Sequence, residues 1–243
     1  MITMNKKIKA LVVLVLIILL CYGIYYLTDY YPASDNTIDL INGSGNVSVI
    51  NTTNGLLLDG PGCDTALIFY PGAKVEYISY LPLLMNLSNS GVDCFIVKMP
   101  FNLAIINMDS ADEIISNNSY NYSNYYMSGH SLGGTSAASY TKKHEDNIKG
   151  LILLAAYSTE DINKVPILSV YGSKDNVLNK EKYEDAKKNI HSNYTEYVID
   201  GANHAQFGSY GMQNGDYNAT ISPDEQIRQT KAKILEFIEG TSS

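Results

Sequence analysis

The sequence has little arginine and no grouping of residues typical of a metal site. Only one of its 17 basic residues is an arginine, Arg228, and 25 acidic residues give the chain a net charge of −8. Sites for nucleic acids and polyphosphates need clustered bases and favour the guanidinium group, so this composition argues against such partners. The three cysteines are scattered, and the four histidines lack the paired spacing of metal ligands. We therefore expect no nucleic-acid partner, no metal and no cofactor.

Apolar sequence, in contrast, is plentiful. Hydrophobic residues make up 45% of the 243 positions, which is enough for an α/β domain with a substantial core. We find no internal repeat and no linker within residues 46–240. The sequence therefore predicts one domain over this range.

The N-terminal region contains a long uncharged run. Residues 10–27 carry no charge, and they follow Lys6, Lys7 and Lys9 and precede Asp29. As a helix this run would span about 27 Å, close to the hydrocarbon thickness of a bilayer. The lysines favour a cytoplasmic N-terminus. We predict a cytoplasmic tail at residues 1–9, a transmembrane signal anchor at 10–28, a polar stalk at 29–45 and an extracytoplasmic domain at 46–243.

Two other interpretations of this run stay open. A cleaved secretory signal is one, although the run is longer than a usual signal core and no small-x-small cleavage site follows it closely. Lipoprotein processing at Cys21 is the other, although Leu19 and Leu20 stand where small residues would be needed. An uncleaved anchor accounts for both observations.

The predicted outer part has two further properties. Its acidic residues outnumber its basic ones, so we expect it to be soluble and not to lie flat on an anionic membrane. Cys63 and Cys94 both fall in this part, where an oxidising environment would let them pair. We treat that disulfide as a hypothesis.

Strand and helix patterns alternate along the domain. Short apolar segments at 46–50 and 56–58 flank N-T-T-N-G, which is typical of a β-hairpin. Continuous apolar runs predict buried strands at 65–70, 92–99, 122–127, 148–156, 165–171 and 194–199. Helices are predicted at 80–89, 109–116, 131–144 and 223–240. This alternation predicts an α/β fold with one mainly parallel sheet, helices on both faces and an active site at the carboxyl ends of the strands.

A nucleophile elbow is predicted at residues 125–137, where a strand leads into a helix. Gly129 and Gly133 flank Ser131 in the pattern G-x-S-x-G. Glycine suits both flanking positions because a strained turn leaves no room for side chains there. The alternative is a glycine-rich helix start with no catalytic role.

A serine nucleophile needs a base within hydrogen-bonding reach, and histidine suits this role near neutral pH. His204 lies in a loop just after the last predicted strand, where a base would be needed. His130 adjoins the serine in the turn and is expected to point elsewhere. His144 and His191 are expected to be ordinary surface residues. We therefore predict His204 as the base of Ser131.

The base in turn needs an acid that orients it. Asp175 follows the strand that ends near residue 171, again at a carboxyl end. Asp200 is too close to His204 in sequence to reach the far side of the ring, and Asp161 lies in a loop where an acid needs no special explanation. The order Ser131, Asp175, His204 is the order that this architecture imposes on a triad.

Backbone groups are the predicted donors of an oxyanion hole. One is the N–H of Leu132, directly after the nucleophile, and the other is that of Ala73 in the P-G-A-K loop. Lys74 could meet an anionic substrate group, although a solvated loop lysine is the simpler explanation. The long loop at 205–220, which includes Gln206, is expected to form a wall of the substrate pocket or else a surface loop.

These motifs together resemble the α/β-hydrolase family, and within it small bacterial hydrolases with an N-terminal membrane segment. The matching segments are F-Y-P-G-A-K, K-M-P-F-N-L-A, S-G-H-S-L-G-G, Y-G-S-K-D, G-A-N-H-A-Q-F-G-S-Y-G and I-S-P-D-E-Q, within residues 65–228. The resemblance implies a triad of Ser131, Asp175 and His204. The sequence departs from the family at the oxyanion loop, where P-G replaces the more frequent H-G. The segment after residue 156 is also too short for the helical lid of many relatives.

The sequence thus predicts a membrane-anchored, outward-facing serine hydrolase. A carboxylesterase acting on small or accessible acyl esters through an acyl-enzyme is the simplest activity. A peptidase or a cell-wall acyltransferase on the same fold remains an alternative, as does a surface module that binds without catalysis. Neither the acyl group nor the leaving group follows from the fold.

Overall fold

An apolar helix forms the first of two units, which divide between Tyr30 and Tyr31. The computed structural model describes residues 5–62 and 64–241. Helix α1 (Lys6–Thr28) begins at Asn5, whose side-chain oxygen accepts a hydrogen bond from the N–H of Lys7 at 3.0 Å. Its mean hydropathy reaches 2.7 over 18 residues. The helix is therefore long and apolar enough to cross a membrane, a property that signal sequences share.

An eight-stranded sheet lies at the centre of the second unit, in the order β1-β2-β4-β3-β5-β6-β7-β8. Strands β1 and β2 form the predicted hairpin, β2 pairs antiparallel with β4, and the other neighbours are parallel. The strand bounds are β1 (Ser48–Thr52), β2 (Gly55–Asp59), β3 (Thr65–Tyr70), β4 (Asp93–Val97), β5 (Asn124–His130), β6 (Gly150–Leu154), β7 (Ile167–Gly172) and β8 (Tyr194–Ile199).

Helices cover both faces of the sheet, as predicted. Alternate residues of a strand point to opposite faces, and β3 places Leu67 in one apolar cluster and Ile68 in the other. The cluster of Leu67 includes α3 and α7, whereas that of Ile68 includes α4 and α5. The helix bounds in this unit are α2 (Asp35–Ile38), α3 (Leu81–Ser88), α4 (Asp112–Ile115), α5 (Leu132–Lys143), α6 (Lys180–Ala186) and α7 (Pro223–Thr241).

The chain order around β3 creates a crevice at the carboxyl edge of the sheet. From β3 the chain passes through α3 to β4 on one side, and it then returns to β5 on the other side of β3. The loops that follow β3 and β5 therefore run to opposite faces. In open parallel sheets such a reversal is where ligands bind.

Helix α6 was missed in the sequence prediction. It begins at Asn179, whose side chain accepts a hydrogen bond from the N–H of Lys182 at 2.9 Å. This N-cap asparagine was a usable signal. Only Tyr183 and Ala186 of the helix are buried, so its hydrophobic periodicity was too weak to show.

The predicted stalk at 29–45 differs most from the structure. From Tyr31 onward the chain belongs to the second unit, where Ala33 and Thr37 are buried. Tyr31 forms a parallel bridge with Val75: its N–H donates to the carbonyl oxygen of Lys74 at 2.6 Å, and its own carbonyl accepts from Glu76 at 3.0 Å. Polar composition suggested a solvated tether, but these main-chain bonds tie the segment to the loop after β3.

Cys94 is a buried free thiol in strand β4, and its Sγ lies 3.2 Å from the carbonyl oxygen of Val92. Burial raises its pKa to about 12. Cys63 lies outside the described residues, so the disulfide between the two cysteines stays a hypothesis.

Candidate active site

Ser131 occupies the sharp turn between β5 and α5. Its backbone angles are φ 54° and ψ −126°, a conformation that residues with side chains rarely adopt. Its N–H donates to the carbonyl oxygen of Leu154 at 2.9 Å, which fixes the turn to the neighbouring strand β6. The strain therefore sits at the residue predicted as the nucleophile.

The glycines around the serine are required by close packing. A Cβ on Gly133 would lie 2.2 Å from the carbonyl oxygens of Tyr70 and Pro71, and one on Gly129 would lie 2.5 Å from the carbonyl carbon of Gly133. Helix α5 thus starts in direct contact with the end of β3. This contact brings the turn and the loop after β3 together.

The structure pairs His204 with Asp175. The His204 Nδ1 lies 2.9 Å from the Asp175 Oδ2, and the two side chains are almost completely buried. The other carboxylate oxygen accepts the N–H groups of Val177 at 2.9 Å and Leu178 at 2.8 Å. Burial alone would raise the pKa of Asp175, but these hydrogen bonds and the nearby imidazole hold it below its usual value. The carboxylate is therefore ionised and fixed.

The second ring nitrogen of His204, Nε2, is buried and has no hydrogen-bond partner in the described part of the chain. Ser131 and His204 line one cavity of about 220 Å³. Because Asp175 occupies Nδ1, Nε2 is the nitrogen left for chemistry at this cavity. The remaining wall comes from the start of α5 and the loops after β6 and β7, namely Leu132, Thr135, Ala155, Ala156, Tyr157, Val177, Leu178 and Asn179.

The two predicted backbone donors differ in position, because Leu132 lines the cavity and Ala73 is not among its lining residues. Leu132 is the first residue of α5, and Ala73 follows the end of β3. Within residues 5–62 and 64–241, neither N–H donates a hydrogen bond to another group. The N–H of Gly72, in contrast, is already used by the hydroxyl of Tyr80 at 3.0 Å.

Lys74 and Gln206 do not line this cavity, although the sequence placed both in the substrate pocket. Lys74 adopts a positive φ of 58°, and its N–H donates to the carbonyl oxygen of Asn102 at 2.8 Å. Gln206 lies in a short 3-10 turn after His204. The loops after β6 and β7 form the wall that was expected from residues 205–220.

The structure gives His130 a position that the sequence did not suggest. Its ring packs against that of His204, with 4.5 Å between ring centres, and its Nδ1 lies 2.8 Å from the Tyr80 hydroxyl. His144 and His191 lie away from the site, beside Asp112 and Asp161. The expectation that His130 does not serve as the base of Ser131 stays a prediction, but its contact with His204 was not foreseen.

Gln226 is a second residue that the sequence prediction missed. Its side chain accepts the N–H of Asn203 at 3.2 Å and donates to the carbonyl oxygen of the same residue at 2.9 Å. Asn203 directly precedes His204, so helix α7 holds the main chain beside the predicted base. The sequence did contain a signal for this residue, because Gln226 is the last residue of I-S-P-D-E-Q, one of the segments that resemble the family.

Metal ligands do not gather at this site. Within the described ranges, no group of three histidine, cysteine, aspartate or glutamate side chains is arranged to hold an ion.

Comparison with protein families places this geometry in context. The Alpha/beta hydrolase family matches residues 66–228, which is most of the chain. The chain belongs to this family. Comparison with curated proteins finds no significant match.

Solved structures share the hydrolase fold. Est1E from Butyrivibrio proteoclasticus is 18% identical at a TM-score of 0.53, covering 80% of this chain and 100% of its own. The dienelactone hydrolase from Anabaena variabilis is 11% identical at a TM-score of 0.59, covering 79% and 99%. The alpha/beta hydrolase domain-containing protein 10 from mouse is 11% identical at 0.57, covering 81% and 99%. At these identities the likeness describes the fold alone.

Proposed function

We propose that this member of the α/β-hydrolase family is a serine hydrolase that forms an acyl-enzyme on Ser131, most simply a carboxylesterase. One observation carries the proposal. The Nδ1 of His204 is hydrogen-bonded to Asp175, and its Nε2 has no partner in the described part of the chain. His204 and Ser131 line the same cavity. A nucleophile, a base and an orienting acid are the parts that acyl transfer requires.

In the first step the Ser131 Oγ attacks the carbonyl carbon of the ester, and His204 Nε2 takes the hydroxyl proton. The charge of Asp175 stabilises the imidazolium that forms. The carbonyl oxygen becomes an oxyanion, which the N–H groups of Ala73 and Leu132 would receive. The intermediate then expels the alcohol, to which His204 returns the proton.

Deacylation repeats these steps with water. His204 removes a proton from a water molecule, whose oxygen attacks the acyl carbon bound to Ser131. The same backbone donors would hold the second oxyanion. The Ser131 oxygen leaves and recovers the proton from His204, which releases the carboxylic acid and regenerates the enzyme.

The cavity supports small acyl esters as substrates. Its volume is about 220 Å³, and its wall includes the apolar side chains of Leu132, Val177 and Leu178. This is below the usual range for drug-sized ligands. A peptidase or an acyltransferase would use the same residues with a different leaving group or acceptor, so amides and alternative acceptors distinguish these activities.

The proposed location is the outer face of a cell membrane, with α1 as an uncleaved anchor. Its length and hydropathy support a membrane span, and the lysines before the apolar run support a cytoplasmic N-terminus. Protease added to intact cells without their wall should digest the second unit. A protected second unit would contradict this orientation.

Replacement of Ser131 by alanine tests the activity. We expect Ser131→Ala to abolish hydrolysis of a small nitrophenyl ester and labelling by a fluorophosphonate, while thermal unfolding stays close to that of the wild type. Turnover by the alanine variant at the wild-type rate would contradict the proposal. A wild-type protein that is folded but never labelled would instead indicate a binding module.

A further inference from the structure

Two buried side chains outside the proposed triad contact both sides of the site. Tyr80 ends a 3-10 turn (Tyr77–Tyr80) after the loop that contains Ala73, and His130 is the last residue of β5. Both are completely shielded from solvent. The hydroxyl of Tyr80 and the Nδ1 of His130 are 2.8 Å apart.

The hydrogen bonds at Tyr80 determine where the protons lie. The N–H of Gly72 donates to the Tyr80 oxygen at 3.0 Å, and among the described residues His130 Nδ1 is the one acceptor within reach of the buried phenolic O–H, which therefore donates to it. A nitrogen that accepts carries no proton, and the neutral ring therefore has its proton on Nε2. Burial, followed by the proximity of His204, lowers the pKa of His130 well below its usual value, so the neutral form persists.

At one end this pair holds the loop after β3. The peptide of Gly72, fixed by the Tyr80 oxygen, directly precedes the N–H of Ala73. A Cβ on Gly72 would lie 2.8 Å from His130 Nδ1 and 2.9 Å from the Tyr80 oxygen, so the loop and the pair are in close contact. The Tyr80 hydroxyl thus holds the peptide that precedes the Gly72–Ala73 peptide.

At its other end the pair contacts the proposed base. The ring centres of His130 and His204 are 4.5 Å apart, and Phe207 packs on His130 at 5.6 Å. Tyr80 and His204 are the titratable groups in contact with His130; Asp175 lies beyond His204, and Tyr210 lies near Tyr80. A neutral His130 adds no positive charge beside the imidazolium that His204 becomes during the reaction.

We propose that Tyr80 and His130 are positioning residues for acyl transfer at Ser131, and this inference rests on the proposed hydrolase function. The Tyr80 hydroxyl orients the peptide before the Ala73 donor, and the neutral ring of His130 supports the ring of His204. Neither side chain takes a proton from the substrate. Their effect is on the geometry of the oxyanion donor and the base, where displacement by about 1 Å can cost roughly a hundredfold in rate.

The first test compares two tyrosine hydroxyls that have the same kind of partners. Tyr80→Phe removes one acceptor of a main-chain N–H, and we expect kcat for a small nitrophenyl ester to fall roughly 10- to 100-fold with KM almost unchanged. Tyr70→Phe is the matched control, because the buried Tyr70 hydroxyl accepts the N–H of Ala111 at 3.0 Å and donates to the Met108 carbonyl at 2.7 Å. That variant should keep kcat within about threefold.

The second test separates the acceptor from the packing at residue 130. His130→Asn keeps an uncharged acceptor near the Tyr80 hydroxyl, whereas His130→Leu fills the space without one. We expect the leucine variant to lose kcat about as Tyr80→Phe does, and the asparagine variant to recover most of that loss. Equal kcat values for the two variants would overturn the proposal. So would a Tyr80→Phe protein that is folded and fully active.

A nuclear magnetic resonance measurement makes the result independent of turnover. In protein with ¹⁵N-labelled histidine, His130 should show the neutral Nε2–H form, which should become a mixture of tautomers in Tyr80→Phe. A proton on Nδ1 in the wild type would reverse the donor and acceptor of this hydrogen bond and so overturn the proposed role of the Tyr80 hydroxyl. A wild type without ester hydrolysis but with the expected tautomer would refute the hydrolase function, and with it the positioning role, while leaving the hydrogen bond intact.

Discussion

The two sides of the candidate site are held together in different ways. On the side of the proposed base, Asp175 receives N–H groups from Val177 and Leu178, which lie only two and three positions further along the chain. On the side of the proposed oxyanion donor, the loop after β3 is bonded to Tyr31 and Asn102, which come from distant segments. The first side is built locally and the second by remote parts of the fold.

This difference shows why one side can be recognised in a sequence and the other cannot. The short segment Y-G-S-K-D-N-V-L contains both the acid, Asp175, and the two residues whose N–H groups fix it. The loop of Ala73 contains only the donor. The Tyr80 hydroxyl that holds Gly72 comes from the next turn, whereas Tyr31 and Asn102 lie tens of residues away. Variants of each side should therefore differ in the size and the kind of their effects.

The largest expected effect is on the base side. Asp175→Asn keeps the shape of the side chain but removes the charge that stabilises a protonated His204, and we expect kcat to fall roughly 10³- to 10⁴-fold. Steady-state hydrolysis of a nitrophenyl ester measures this loss. Asp200→Asn is the matched control at the end of β8, where Asp200 accepts from the Ser173 hydroxyl at 2.9 Å. It should stay within about twofold of the wild type.

The oxyanion side should depend on the segment that was expected to be a stalk. A protein starting at residue 46 lacks the hydrogen bonds of Tyr31 to Lys74 and Glu76, together with those of Ala33 and Ser34. At roughly 0.5–1.5 kcal/mol each, these four bonds imply a loss of roughly 2–6 kcal/mol in the free energy of unfolding.

We also expect kcat of that shortened protein to fall at least about tenfold, because the loop of Ala73 loses its support. The matched comparison is a protein starting at residue 30, which keeps the whole second unit. Urea unfolding and steady-state ester hydrolysis compare the free energy of unfolding and kcat of the two proteins. Identical stability and rate would mean that residues 31–45 are a tether after all.

A smaller effect is expected where the two sides meet. Gly133→Ala forces a methyl group against the carbonyl oxygens of Tyr70 and Pro71, so we expect unfolding to become easier by about 1–3 kcal/mol. Gly240→Ala is the opposite case, because a Cβ there meets nothing within 4 Å in the last turn of α7. The free energy of unfolding of this variant should rise by up to about 1 kcal/mol. Thermal unfolding of both variants tests the comparison.

The smallest effect concerns the pH dependence of stability. The pKa of Asp175 is lower in the folded protein than the usual value near 4, so its charge stabilises the fold above about pH 4. This contribution is lost as the pH falls through the folded pKa. Urea unfolding at about pH 7 and pH 3 should show that the free energy of unfolding falls more for the wild type than for Asp175→Asn as the pH is lowered. Parallel declines would mean that the pKa of Asp175 is not depressed.

Much of the fold followed from the sequence because its strands are continuous apolar runs. Residues 65–70 and 150–154 are buried on both faces, and such runs need no knowledge of their neighbours to be recognised. The stalk prediction failed for the opposite reason. Main-chain hydrogen bonds from Tyr31 to residues more than forty positions away leave no mark on a polar segment.

The candidate site likewise contains residues that could be predicted from the sequence and residues that could not. Ser131, Asp175 and His204 could be selected because each follows a predicted strand, and the structure brings Asp175 to His204. The bond between Tyr80 and His130 joins residues 50 positions apart, and either side chain alone suits an ordinary core. The cavity wall was misplaced because residues 177–179 reach it only through the path of the loop after β7.

The double hydrogen bond of Gln226 to Asn203 has a consequence for biosynthesis. A growing chain contains the entire proposed triad once residue 204 has been made, yet both hydrogen bonds that Gln226 makes to the main chain of Asn203 come from helix α7. Helix α7 follows the triad in the chain, so a bond that holds the site forms only after all three side chains have been made. A nascent or prematurely terminated chain that lacks α7 would contain Ser131, Asp175 and His204. It would lack the two hydrogen bonds from Gln226 that hold the main chain beside His204.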